Sequence, residues 1–247
     1  MSATKCAITT KNILRQLIKL RDELRAIRDS ICILRNKLCS ILPPVVVTRK
    51  ILSWDCGLRT SSWSLIYVRY RINPITRMPL PVLYTDIDLI KYGTIDFLCG
   101  SNVRDVPECT WFNLIKSGLE KHAPKIDSDT IVAIENQPQN HYGIITRGNT
   151  STQYSIAYHY SDNKSVFIEA KKKNTIGAIS PEAVKKLPHV THKTWRKKHT
   201  RLNFELFMLM RYNKTFGRGS QKNMKLRDVS DSFMQGIWYA IQDDLLL

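Results

Sequence analysis

Apolar residues near the N-terminus recur with steps that alternate between four and three. This heptad pattern is typical of a long coiled-coil helix. It runs without glycine or proline until Pro43 and Pro44, where the proline ring removes a backbone donor and ends the helix. A stripe this narrow predicts an oligomer formed with other copies of the chain, and a helix folded back on its own domain is the alternative. The stripe comprises Ile13, Leu17, Leu20, Leu24, Ile27, Ile31, Leu34, Leu38 and Ile41.

Downstream of the two prolines, segments of strand character alternate with segments of helical spacing. The fourth extended segment is wholly apolar until its last residue, which indicates burial on both faces in the middle of a mixed sheet. The order of the segments predicts an α/β fold with a mixed five-stranded sheet flanked by helices. The predicted strands are 45–47 with 51–54, 61–70, 80–90, 130–135 and 165–170, and the predicted helices are 111–122, 144–160 and one that begins near Asp228.

The two patterns divide the chain into two predicted domains. Residues 1–47 form the coiled-coil helix and a linker, and residues 48–247 form the α/β domain. The apolar fraction of 43% and charged fraction of 24% are those of an ordinary folded protein. The formal net charge of +17 favours a polyanion, above all nucleic acid, as the partner, and a merely basic surface is the alternative.

Cysteine usage and hydropathy bear on the compartment. The six cysteines include no C-x-x-C pair and no regular spacing with histidine, so neither a zinc site nor a disulfide framework is indicated. No apolar stretch approaches the roughly 20 residues that a membrane-spanning helix needs. We therefore expect an intracellular protein without a membrane partner.

Acidic residues stand at the ends of predicted elements. Asp55 closes the first strand, Glu135 closes the fourth, and Asp228 and Asp231 stand three apart on one face of the last helix. Each has an ordinary alternative explanation: a turn for Asp55, a solvated strand end for Glu135 and helix capping for the aspartate pair.

In order and spacing, Asp55, then Glu135-Asn136-Gln137, then Asp228-x-x-Asp231 resemble the pattern of RuvC-like Holliday junction resolvases. Within that family the pattern is most similar to the poxvirus and large-DNA-virus group, with the mitochondrial resolvases as cousins. The resemblance covers roughly residues 50 to 245. It implies an RNase H-like fold, a homodimer, and paired magnesium-dependent cuts in a four-way DNA junction. The implied location is a viral replication site in the host cytoplasm, the nucleus or the mitochondrion.

The carboxylates also carry a chemical argument that does not depend on the resemblance. Hydrolysis of a phosphodiester needs charge stabilisation on the attacking and leaving oxygens, and two divalent ions can provide both. Hard oxygen donors suit Mg²⁺ or Mn²⁺. We predict that Asp55 bridges two Mg²⁺ ions and that Glu135, Asp228 and Asp231 complete their ligand shells. Without metal, these like charges should raise one another's proton affinity.

A basic region follows the fifth predicted strand. Cations clustered next to the acidic site are expected to contact DNA phosphates, although a solvated basic face is the alternative. The resemblance implies a functional lysine here, and Lys197 or Lys198 matches it most nearly. Residues 215–226 predict a flexible basic loop. The predicted DNA-binding residues are Lys171, Lys172, Lys173, Lys193, Arg196, Lys197, Lys198 and Arg201.

Two other functions remain open at this point. One is another RNase H-like nuclease, acting on an RNA–DNA hybrid or on DNA, because one fold hosts several reactions. The other is a noncatalytic coiled-coil DNA-binding protein, in which the acids would only cap secondary structure.

Overall fold

The computed structural model describes residues 19–34, 37, 42–136, 143–175, 192–212, 214 and 220–242, with side chains omitted for 192–199 and 220–225. The described residues belong to two compact units. One comprises the described residues of 1–46 together with Arg71–Leu80, and the other comprises the described residues of 47–70 and 81–247. The predicted domain boundary after residue 47 stays a prediction.

The first unit contains a helix, α1, over residues 19–34. Its apolar stripe is open to solvent: Leu20, Leu24, Ile27, Ile31 and Leu34 are each more than half exposed. The other members of the predicted stripe, Ile13, Leu17, Leu38 and Ile41, lie outside the described residues. The pairing of this helix with other copies of the chain stays a prediction.

The second unit is built on a five-stranded sheet with the strand order β3-β2-β1-β4-β5. Strands β2 and β3 are antiparallel, whereas β1 pairs with β4 and β4 pairs with β5 in parallel. The predicted α/β fold class with a mixed five-stranded sheet is therefore confirmed. The strands are β1 (Val45–Asp55), β2 (Thr60–Ile72), β3 (Ile87–Asp96), β4 (Ile131–Asn136) and β5 (Ser165–Glu169).

Helices cover both faces of this sheet. Successive side chains of a strand point to opposite faces, so Ile51 joins one core cluster and Leu52 the other. The same alternation puts Ala133 and Val132 of β4 on opposite faces, which explains why that strand is apolar throughout. In the part of the chain that the structure describes, two helices lie on each side: α2 (Glu108–His122) and α3 (Ile144–His159) on one, α4 (His192–Tyr212) and α5 (Ser220–Gln242) on the other.

Two predicted elements differ in the structure, and one helix was not predicted. The third strand was expected at 80–90, but it begins at Ile87 because a short 3-10 turn precedes it, closed by the Asp86 carboxylate accepting from the Leu83 amide at 2.9 Å. The last helix begins at Ser220, well before Asp228, so residues 220–226 are helical rather than a loop. Helix α4 was not predicted, because the basic run at its start predicts a DNA-binding surface and gives no helical spacing of apolar residues.

None of the helices in the described part of the chain combines the length and the apolar character that crossing a bilayer requires.

Helix α5 is tied to the two central strands by Gln235. The buried Gln235 side chain donates from Nε2 to the Trp54 carbonyl at 3.0 Å and to the Ala133 carbonyl at 3.2 Å. The next residue, Gly236, allows the helix to lie close to the sheet, since a Cβ there would stand 3.2 Å from atoms of Ser53 and Ile66. The helix is thus fixed against the ends of β1 and β4.

Replacing Gln235 by leucine removes both hydrogen bonds from a buried position. We expect Gln235→Leu to lower the free energy of unfolding by about 1–3 kcal/mol, measured by urea denaturation. Gln242→Leu, on the exposed end of the same helix, is the matched control and should stay within about 0.5 kcal/mol of wild type. Equal stability of the two variants would contradict the role assigned to Gln235.

Candidate functional site

The carboxyl ends of β1 and β4 meet at one edge of the sheet. The parallel register pairs Trp54 with Ile134, so the next residues, Asp55 and Glu135, are neighbours on adjacent strands. Ligand sites of open α/β sheets form at this edge. Two further elements reach the same place: helix α5, which carries Asp228 and Asp231, and the 3-10 turn Lys172–Thr175 after β5.

Three of the four predicted carboxylates surround the ammonium group of Lys173. Its Nζ lies 3.0 Å from Asp55 Oδ1, 3.3 Å from Glu135 Oε1 and 3.5 Å from Asp231 Oδ2. The cluster is largely removed from water, since the side chains of Lys173 and Glu135 are only 10% and 5% exposed. Four residues that are distant in the sequence therefore share one small polar centre.

Asp228 belongs to the edge of this centre. Burial, together with the charges of Asp55 and Asp231, raises the pKa of Asp228 to about 6. Because α5 begins at Ser220, Asp228 and Asp231 lie more than two turns inside the helix. The alternative explanation of this pair as N-terminal caps is thereby ruled out.

The pKa values of Glu135 and Asp55 are shifted in opposite directions. Burial and the hydrogen bond with Asp55 raise the pKa of Glu135 to about 9, so Glu135 is protonated at neutral pH. For Asp55, burial alone would raise the pKa, but the hydrogen bond with Glu135 and the charge of Lys173 outweigh it and lower the pKa. Burial alone would lower the pKa of Lys173, but the charges of Asp55 and Asp231 outweigh it and raise the pKa, so Lys173 carries its proton.

The donor set of this centre fits a hard divalent cation. Three carboxylate oxygens converge within 3.5 Å of the Lys173 nitrogen, which marks a point where positive charge is stabilised, and carboxylate oxygens are the ligands that Mg²⁺ and Mn²⁺ prefer. Among the described residues, no group of three or more histidines, cysteines or acids stands in ready metal-binding geometry. The acids are instead arranged around the lysine.

The predicted DNA-binding cations are placed differently from one another. Lys171 is exposed and pairs with Glu169 at 3.0 Å, and Lys172 lies 5.5 Å from the centre of the Trp238 ring. Arg201 pairs with Glu205 at 2.8 Å. Lys173, expected on the surface, is buried among the carboxylates. The side chains of Lys193, Arg196, Lys197 and Lys198 lie outside the described residues.

Sequence reasoning missed the place of Lys173. The resemblance directed attention to Lys197 or Lys198, whereas the lysine at the carboxylates is the last of the three that follow β5. One signal was available: Lys173 follows a strand that ends at the same sheet edge as Asp55 and Glu135. Nothing in three consecutive lysines indicates which of them the turn buries.

The raised pKa of Glu135 makes the stability of the metal-free protein depend on pH. Between the ordinary pKa of 4.5 and about 9, the folded protein holds a proton at Glu135 that the unfolded chain has released. The free energy of unfolding therefore falls as pH rises through this window. Asp228 adds to the fall between 3.8 and about 6. We expect urea denaturation in a chelator to show this decline, and Glu135→Gln to flatten it.

Glu120→Gln, on the exposed surface of α2, should keep the wild-type pH dependence. A wild-type protein whose stability stays level across the window would show that Glu135 is ionised in the folded state.

Comparison with known proteins found distant structural neighbours, among them two structures of RuvC. No family model matches the chain, and no curated protein matches it either. A structure of RuvC from Thermus thermophilus is 12% identical, with 80% of this chain and 98% of that chain covered and a TM-score of 0.40. A complex of T. thermophilus RuvC with a Holliday junction substrate is 10% identical, with coverage of 79% and 97% and a TM-score of 0.40. Likeness at this distance does not transfer a site or an activity.

Proposed function

We propose that the chain is a metal-dependent endonuclease that resolves four-way DNA junctions by paired phosphodiester hydrolysis. The observation that carries the proposal is the excess of carboxylates at one buried centre. A structural ion pair with Lys173 needs one acid, whereas Asp55, Glu135 and Asp231 all contact its ammonium group and Asp228 lies near them. Buried like charges are costly, so their accumulation favours a site that binds cations.

Asp55, Glu135, Asp228 and Asp231 would hold the Mg²⁺ ions, with Mn²⁺ as a substitute. Bound divalent ions supply charge stabilisation for the attacking and leaving oxygens of the phosphodiester. Asp55 suits the shared position because it contacts both Glu135 and Lys173. Glu135 has to release its proton to act as a ligand, which makes cation binding pH-dependent. Gln235 keeps the α5 carboxylates against the strand ends.

The expected substrate follows from charge and from the resemblance. A net charge of +17 suits a polyanion, and the four-way junction is the substrate that the resolvase-like motifs imply. Affiliation with the poxvirus and large-DNA-virus group is part of the proposal. Paired cuts need two active sites, and the exposed apolar stripe of α1 offers a surface through which two or more copies could associate.

Cleavage of a synthetic four-way junction tests the proposal directly. We expect Mg²⁺-dependent cutting by the wild type, and a loss of at least about a hundredfold in Asp55→Asn or Asp231→Asn, because several kcal/mol of charge stabilisation depend on these ligands. Binding to the junction should persist in both variants. Asp162→Asn, an exposed acid before β5 at the opposite edge of the sheet, is the matched control and should cut normally.

Three outcomes would count against this function. Cutting by Asp55→Asn at the wild-type rate would remove the acids from catalysis. Preference for an RNA–DNA hybrid over the junction would favour another RNase H-like nuclease. Tight binding without cutting in Mg²⁺ or Mn²⁺ would favour the noncatalytic DNA-binding protein.

The position of Lys173 predicts that its ammonium group and a divalent cation oppose one another. Like charges a few ångströms apart repel in a site of low dielectric constant. We expect Lys173→Met to bind Mn²⁺ at least about tenfold more tightly in calorimetric titration, a gain of only about 1.4 kcal/mol. Lys173→Arg keeps the charge and should keep the wild-type affinity.

Titrations at several pH values separate this effect from proton competition at Glu135. Weaker Mn²⁺ binding by Lys173→Met at every pH would mean that the lysine supports the cation rather than replacing it.

A further inference from the structure

A cavity of about 360 Å³ opens beside the loop that joins β1 to β2. The loop leaves β1 directly after Asp55, so the cavity adjoins the carboxylate centre along the chain. The helix α3, which begins at Ile144, and the segment before α2 form the other walls. Its polar lining comes from Arg59, Thr60, Asn102, Arg104 and Asn149.

The walls of this cavity are held by internal hydrogen bonds. The Leu58 amide donates to Asn149 Oδ1 at 3.0 Å, which ties the loop to α3. The Gly57 amide donates to Ser61 Oγ at 3.1 Å, and the Ser61 hydroxyl donates to the Gly57 carbonyl at 2.9 Å. Leu58 is buried against α3 so closely that a Cβ at Gly148 would lie 2.5 Å from it. These contacts hold the loop that forms one wall of the cavity against α3.

Two of the residues that line this cavity are arginines, Arg59 and Arg104. Arg59 and Arg104 are exposed, and neither forms an ion pair with an acid among the residues that the structure describes. By contrast, the nearby Arg147 on α3 is paired with Glu108 at 2.5 Å. The first turn of α3 also contains no acidic residue. This wall of the cavity thus presents positive charge that the described protein leaves unmatched.

We propose that this cavity binds a DNA backbone phosphate one or two nucleotides from the scissile phosphate, held by Arg59 and Arg104. Guanidinium groups bind phosphate oxygens through paired, charge-assisted hydrogen bonds. Arg59 stands four residues after Asp55, so its backbone lies within about 14 Å of that carboxylate even in a fully extended chain. This inference rests on the proposed function, because it takes the carboxylates as the place of cleavage.

The test is a binding measurement with the full chain and a four-way junction, in Ca²⁺ instead of Mg²⁺. Arg59→Gln and Arg104→Gln should each weaken binding about three- to tenfold and reduce the slope of log Kd against log salt by about 1. Arg59→Lys should keep most of the slope. Lys164→Gln, which removes an exposed charge just before β5 at the opposite edge of the sheet, is the matched control. It should weaken binding and reduce the slope less than either arginine variant.

Neutral methylphosphonates then locate the phosphate. Junctions that carry one such group at each phosphate near the branch point should include a position that weakens wild-type binding but leaves the Arg59→Gln/Arg104→Gln double variant unaffected. Equal salt slopes for the arginine variants and wild type, or equal losses at every position, would overturn the inference.

The two proposals fail separately. Normal junction cutting with no effect of the arginine variants would retain the nuclease and reject the phosphate site. Absence of cutting in every metal, with the methylphosphonate coupling present, would retain the phosphate site and reject the nuclease. Urea midpoints of the exposed arginine variants provide the check that each is folded.

Discussion

The contacts of the Lys173 ammonium group join three parts of the chain that strand pairing and helix α5 bring to one place. Asp55 and Glu135 arrive on neighbouring strands, and Asp231 arrives on a helix far along the sequence. Without a cation between them these acids would repel one another in a region that excludes water. The lysine supplies one positive charge, and the proton on Glu135 removes one negative charge. These two effects reduce the repulsion among the acids.

Much of this arrangement could be predicted from the sequence, because its signals are local. The apolar run before Glu135 predicted a central strand, and Asp55 was correctly placed at the end of β1. Parallel pairing of the two strands then brings the acids to one edge without any further information. The spacing of Asp228 and Asp231 predicted a shared helical face, although the helix starts earlier than expected.

The features that escaped prediction depend on contacts between distant segments. Burial of Lys173, rather than Lys171 or Lys172, is decided by a short turn packed against α4 and α5. The late start of β3 follows from a local competition, in which the Asp86 carboxylate closes a turn that the β-favouring sequence did not reveal. Helix α4 places Phe204 and Phe207 in the core, but the basic residues before them obscured the helical spacing.

Gly236 controls the distance between helix α5, which carries Asp228 and Asp231, and the sheet. Glycine inside a helix is less stable than alanine by roughly 1 kcal/mol. Gly236 therefore destabilises helix α5 slightly, but it allows the helix to pack close to the sheet. A single methyl group there would move the helix outward by a few tenths of an ångström, and the aspartates one and two turns earlier would move with it. The absence of a side chain at Gly236 therefore determines how close Asp228 and Asp231 lie to the strand ends.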